Sequence, residues 1–241
     1  MRRWTRHCWL IAWAGAAAVP APGAAQTPAY RAGWGAWAVV AGAGSLAALP
    51  ELLHLPRGAP PCAPCDLATL PGIDRWVVGR DSRAAGTGSN FVLLGVAGGG
   101  LLASMSGIPA DRARGNAAVM LNAFAFTSFA TEWTKALVHR SRPILYTPQA
   151  PSAAGDRDNR RSFPSGHTAA AFAAATSYAI MAHRQHLPHA TRNDILLFAG
   201  AATVASLRVA AGRHFVTDVL GGAVVGAGVG WLTARVYPTA P

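Results

Sequence analysis

Six apolar segments, at residues 34–49, 91–107, 117–138, 169–182 with its flanks, 195–211 and 219–236, limit what this chain can fold into. They run from about 14 to about 22 residues, bracketing the roughly 20 that cross a bilayer as a helix. Apolar residues make up 51% of the chain and charged residues 13%, where soluble domains carry about 25% charged. The expected architecture is all-α: a helical bundle with four or five membrane spans. Because several segments are marginal in length, buried helices of a soluble bundle are the alternative. Small residues, as in the run VLGGAVVGAGVG at 219–230, suit close helix packing in lipid.

The N-terminus reads as an export signal over residues 1–25. Arg2, Arg3 and Arg6 precede a short apolar core, and Gly23-Ala24-Ala25 offers a cleavage site. An uncleaved anchor is the alternative. The chain then divides into this signal, an exported region 26–90 with an interfacial helix and a CxxC pair, and a bundle over 91–237. Export favours a disulfide between Cys62 and Cys65. A redox pair or half a zinc site is also open, but nothing nearby completes four ligands.

Arg112 and Arg114 in one loop, and Arg184 and Arg192 in another, fit cytoplasmic turns. The loop 139–164 then faces the periplasm. Segment 34–49 lies along the bundle or interface if the signal is cleaved, and is a first outward span if it is not. The net charge of +11 is spread over scattered arginines, which argues against a nucleic-acid partner. Asp74 and Arg75 could touch a headgroup, though a solvated helix start is the plainer reading. His183, His186 and His189 read as solvated loop residues rather than metal ligands.

Three short pieces carry chemistry. In KALVHRSRP, Lys135 and Arg142 are seven residues apart, so two helical turns put both cations on one face, and Lys135 is the only lysine in the chain. In PSGH, Pro164 suits a helix start, Ser165 and Gly166 offer backbone amides to an anion, and His167 points at it. In RVAAGRHFVTD, His214 and Asp218 stand at i and i+4, so if the helix has begun by His214 the carboxylate can hold one imidazole nitrogen as N–H and leave the other as a lone pair. With Arg208, the set supplies three cations, free amides and two histidines of which one has a carboxylate in register. That chemistry fits a phosphate ester.

In that order, K-x6-R-P, P-S-G-H and R-x5-H-x3-D resemble the signature of the type 2 phosphatidic acid phosphatase and vanadium haloperoxidase superfamily. The resemblance covers 135–218 and implies a helical fold with the site at the outer face of its membrane members. It implies that His214 attacks phosphorus, Asp218 orients it, and His167 protonates the leaving oxygen. Lys135, Arg142, Ser165, Gly166 and Arg208 would bind the phosphate, with no metal or cofactor and with vanadate as an inhibitor. One departure is Leu207, which stands directly before Arg208 where the family usually has serine.

The function expected is hydrolysis of a lipid phosphate or pyrophosphate at the periplasmic face of a bacterial inner membrane. A soluble periplasmic acid phosphatase and a vanadium-dependent haloperoxidase are the alternatives.

Overall fold

The computed structural model describes residues 29–239, so the expected export signal lies outside it. Among the described residues, the apolar segments become six long helices: α1 Trp34–Leu52, α3 Arg83–Met105, α4 Ala110–Val138, α6 Gly166–Arg184, α7 Ala190–Ala210 and α8 Val216–Val236. Two one-turn helices, α2 Gly72–Arg75 and α5 Ala150–Ala153, lie in the connections. Starts and stops follow local chemistry. The Ser82 side chain caps α3 by accepting the Ala85 amide, and α4 begins directly after Pro109 and stops where His139 turns left-handed at φ 54°.

α4 and α6 form the interior. The face of α6 that meets α8 is built from alanine and serine, and three glycines of α8 admit its backbone. A Cβ on Gly226 would stand 2.0 Å from the Ala169 carbonyl oxygen, and one on Gly230 would stand 2.7 Å from that of Ala173. The two helices run parallel, because 165–177 faces 222–230 in ascending order. Their N-termini therefore share one end of the bundle. Polar groups in the interior pair off as well: Asn116 and Gln185 exchange amide hydrogen bonds at 3.0 and 2.8 Å.

Four helices, α1, α3, α7 and α8, are long and apolar enough to cross a membrane. They turn apolar side chains outward, with Leu94 70% and Val224 73% exposed. In water such a girdle would be a large unburied patch, whereas lipid accepts it. The bundle is therefore a membrane protein, and the expectation of an all-α membrane bundle holds.

α1 packs along the bundle. Tyr30 donates to the Ala234 carbonyl near the end of α8, Trp133 donates to the Leu46 carbonyl, and Glu51 meets Arg157 and Arg161. The helix thus runs the length of the bundle, parallel to α4. Residues 30 and 51 lie at opposite ends of the bundle. Arg112 and Arg114, expected in a loop, fall in the first turns of α4, while Arg184 ends α6 and Arg192 lies in the first turn of α7; all four flank short connections at the end where Tyr30 sits.

Candidate active site

At the other end, three chain segments meet. The C-terminus of α4 brings Lys135, the N-terminus of α6 brings Ser165, Gly166 and His167, and the turn from α7 into α8 brings Arg208, His214 and Asp218. Gly212 makes that turn possible. It has φ +63°, and a Cβ there would fall 1.8 Å from the Arg80 carbonyl oxygen.

His214 is 2% exposed, and its Nδ1 lies 2.7 Å from the Ser162 carbonyl oxygen. A carbonyl only accepts, so the ring carries its proton on Nδ1 and leaves Nε2 as a lone pair. Burial pulls the imidazole down to about 3, outweighing the Asp218 carboxylate, with Arg142 and Arg208 adding to the lowering. The ring is neutral at pH 7.

The expected direct bond from Asp218 to His214 is not made. The Asp218 oxygen is 3.7 Å from Nδ1, beyond hydrogen-bond range. The i to i+4 argument required a helix running through His214, but α8 starts at Val216. Asp218 instead occupies the third helical position, where it caps the Phe215 amide at 2.8 Å. Its carboxylate also accepts from the Ser162 hydroxyl and from Arg140 Nη1, each at 2.5 Å. It reaches the ring only through Ser162.

Two other expectations change for a similar reason. α4 ends at Val138, so Lys135 and Arg142 do not share a helical face. Arg142 sits in extended backbone and is held by Asp158 at 2.8 Å and by the Asp158 and Arg213 carbonyls. Burial lowers the Arg142 pKa and the nearby Asp158 raises it. The Ser165 amide is not free, because it donates to the Asp218 carbonyl at 3.0 Å. Gly166, in the first turn of α6, has no earlier turn to bond.

The cations nevertheless converge. Lys135 Nζ pairs with Glu132 at 2.5 Å and lies 3.1 Å from where a Gly166 Cβ would be. Arg208, Lys135 and Arg142 all act electrostatically on His167, and Arg142 and Arg208 on His214. Arg208 is 8% exposed, its Nη1 is 3.4 Å from the Ser89 hydroxyl, and its buried Nε meets no acceptor among the described residues. His167 Nε2 lies 2.8 Å from Asn90 Oδ1. A cleft of about 400 Å³ beside Arg142 is lined in part by Arg80, Thr147, Gln149 and Arg213.

Several partners were missed in the sequence. Ser162, Arg140, Ser89, Asn90 and Asp158 reach the site by tertiary approach, and no spacing signals them, whereas Glu132 stands three residues before Lys135 in α4, a spacing that could have found it. The loop 152–162 is tied down: Arg161 bonds Glu51 and Glu132, and Arg160 donates to the Pro56 and Arg57 carbonyls. Asp74 is fully buried rather than facing a headgroup, and Arg75 donates to the Leu70 carbonyl at 2.9 Å. Cys62 and Cys65 are joined as a disulfide, and the Cys65 amide donates to the Leu145 carbonyl beside Arg142. His183 pairs with Asp194 at 2.6 Å near the opposite end.

Fold and site together define a helical membrane protein with a buried neutral imidazole among fixed cations. A family model described as the PAP2 superfamily matches residues 116–241, and the chain belongs to that superfamily. No curated protein matches it. Among solved structures it is similar to the crystal structure described as the first transmembrane PAP2 type phosphatidylglycerolphosphate phosphatase, from Bacillus subtilis. The two are 19% identical with a TM-score of 0.47, over 84% of this chain and 95% of that one.

Proposed function

We propose that this protein is a phosphatase that hydrolyses a lipid phosphate or diphosphate through a phosphohistidine, without a metal. The observation that carries the reading is the His214 ring: neutral, held as Nδ1–H by the Ser162 carbonyl, and surrounded by Arg142 and Arg208. Membership of the PAP2 superfamily supports it.

In the first step the Nε2 lone pair forms a bond to phosphorus as the bond to the leaving oxygen breaks, and His167 gives that oxygen a proton. Burial and the three cations hold the His167 pKa at about 4, until the negative charge of the bound phosphate offsets them and lets the ring take up the proton it gives. In the second, His167 takes a proton from water. The hydroxide attacks phosphorus, the P–N bond breaks, and phosphate leaves with His214 regenerated. Lys135, Arg142, Arg208 and the Gly166 amide stabilise the charge on the equatorial oxygens. The N-termini of α6 and α8 add their positive ends from the same side. Asn90 orients His167, and Ser165 holds the start of α6 to α8.

A lipid substrate suits a site at the end of a bundle with an apolar exterior, and the cleft beside Arg142 leaves room for a polar headgroup. Arg112, Arg114, Arg184 and Arg192 flank the short α3–α4 and α6–α7 connections at the opposite end, which suits cytoplasmic turns and so a site at the periplasmic face of a bacterial inner membrane. The test is phosphate release from micellar lipid phosphates and diphosphates in the presence of chelator, with orthovanadate as inhibitor. Release that His214→Ala lowers to background is expected. A strict magnesium requirement, or full activity in His214→Ala, would refute the mechanism. Bromide oxidation on adding vanadate and peroxide would favour the haloperoxidase reading instead.

A further inference from the structure

The chemistry above makes no use of Asp74, a carboxylate that is fully buried in the segment before α3. Both its oxygens are engaged. Oδ2 accepts from Arg140 Nη2 at 2.8 Å and from the Thr217 hydroxyl at 2.6 Å, and Oδ1 accepts from the Thr217 amide at 3.0 Å. Arg140 turns its other nitrogen, Nη1, to Asp218 at 2.5 Å and to the Thr217 hydroxyl oxygen at 2.6 Å. One guanidinium thus bridges two carboxylates that share no exposure to solvent, and it lies over the Phe215 ring, 4.7 Å from the centroid.

The line continues to the reacting nitrogen. Asp218 holds the Ser162 hydroxyl and the Phe215 amide with its second oxygen, and the Ser162 carbonyl accepts the His214 proton. Buried ionic groups are a poor way to gain stability, because desolvation offsets most of the attraction, and their best-attested use is to fix one arrangement among several. Here the arrangement fixed is that of Ser162. If the charge on Asp74 is removed, Arg140 is drawn to Asp218 alone and competes with Ser162 and Phe215 for its oxygens. The Ser162 carbonyl then loses the anchor that keeps it under the ring.

We infer that Asp74 is a positioning residue: through Arg140, Asp218 and Ser162 it holds the His214 proton on Nδ1, so that Nε2 presents its lone pair to phosphorus. The activity arm of its test rests on the phosphatase reading, and the spectroscopic arm does not.

The experiment uses the full chain in detergent micelles with isotope-labelled histidine, the His214 resonances being assigned by their loss in His214→Gln. The wild-type ring at pH 7 should be one neutral tautomer with Nδ1–H. Asp74→Asn keeps the size and an acceptor for Thr217 but removes the charge. It should populate the second tautomer and lower kcat about 10- to 100-fold, the scale of a small misplacement of a reacting group, with KM within about threefold. Thr217→Val, which deletes the hydroxyl between Asp74 and Arg140, should move both readouts the same way by less. A folded Asp74→Asn with an unchanged His214 tautomer overturns the inference, as does a change in KM alone. Failure of both variants to fold also overturns it, since Asp74 would then serve only the fold. If wild type and His214→Gln release phosphate equally while Asp74→Asn still disturbs the ring, the phosphatase reading fails and the positioning role stands.

Discussion

His214 shows how far a local motif reads through to chemistry. An imidazole with an ordinary pKa near 6.5 is held by burial at about 3 in the folded chain, so between those values the unfolded chain binds a proton that the native one does not. The ring's contribution to stability is therefore complete above about pH 6.5 and is lost as pH falls toward 3. Replacing it with Asn removes that linkage. Thermal melts should show the melting difference between wild type and His214→Asn shift in the variant's favour from pH 7 to pH 4.5, and a difference that does not move with pH would contradict the buried neutral ring. Gly166 gives a second expectation at this scale. In Gly166→Ala the new Cβ would press on the Lys135 ammonium, the movable end of a flexible side chain. Phosphate release should drop about tenfold, the order expected when a charged group is displaced by a fraction of an ångström, while the melting temperature stays within about 2 °C. Lys135, His167, Arg208 and His214 were all legible from the residues. The manner in which Asp218 acts was not, because it turns on whether the helix begins before or after His214.

At the scale of elements, the α6–α8 seam explains why three glycines recur every fourth residue in α8. Gly226→Ala places a methyl 2.0 Å from the Ala169 carbonyl oxygen, whereas Gly228→Ala meets nothing within 4 Å. The first should cost about 3 kcal/mol by overpacking, and the second should leave stability unchanged or raise it slightly through helix propensity. Melting in one detergent checks both, and equal effects would mean that the seam is not where the helices meet. The existence of these helices was readable from apolar runs, and close packing from the small residues. What could not be read is which helices pair. α6 and α8 are parallel and distant in sequence, and no period in either encodes the partner. The packing of α1 was unreadable for the same reason, since an apolar face suits an interface as well as a neighbouring helix, and contacts such as Trp133 with the Leu46 carbonyl show that it lies against α4.

The whole molecule has a catalytic end and an opposite end where the short α3–α4 and α6–α7 connections lie. Gly155, in the loop beside the site, has open space around it, and Thr191 starts α7 at the other end. Cysteines introduced at these positions should respond oppositely to a membrane-impermeant maleimide in intact cells: Gly155→Cys labelled, Thr191→Cys labelled only after lysis, each compared with the unsubstituted chain. The reverse pattern would put the site on the cytoplasmic face. The buried clamp around Asp74, Arg140 and Asp218 lay beyond what the sequence could reveal, since its members stand in separate segments and Asp74 reads as an ordinary helix start.

The proposed acid, His167, rides at the head of α6, and the proposed nucleophile, His214, stands immediately before α8, while the two helices touch backbone to backbone. The joint that gives the bundle its cohesion is thus also the ruler that sets the gap between the two reacting rings. Any loosening by heat, detergent or a bulkier side chain would be felt first as a misaligned pair of imidazoles, and the protein would fall silent well before it came apart.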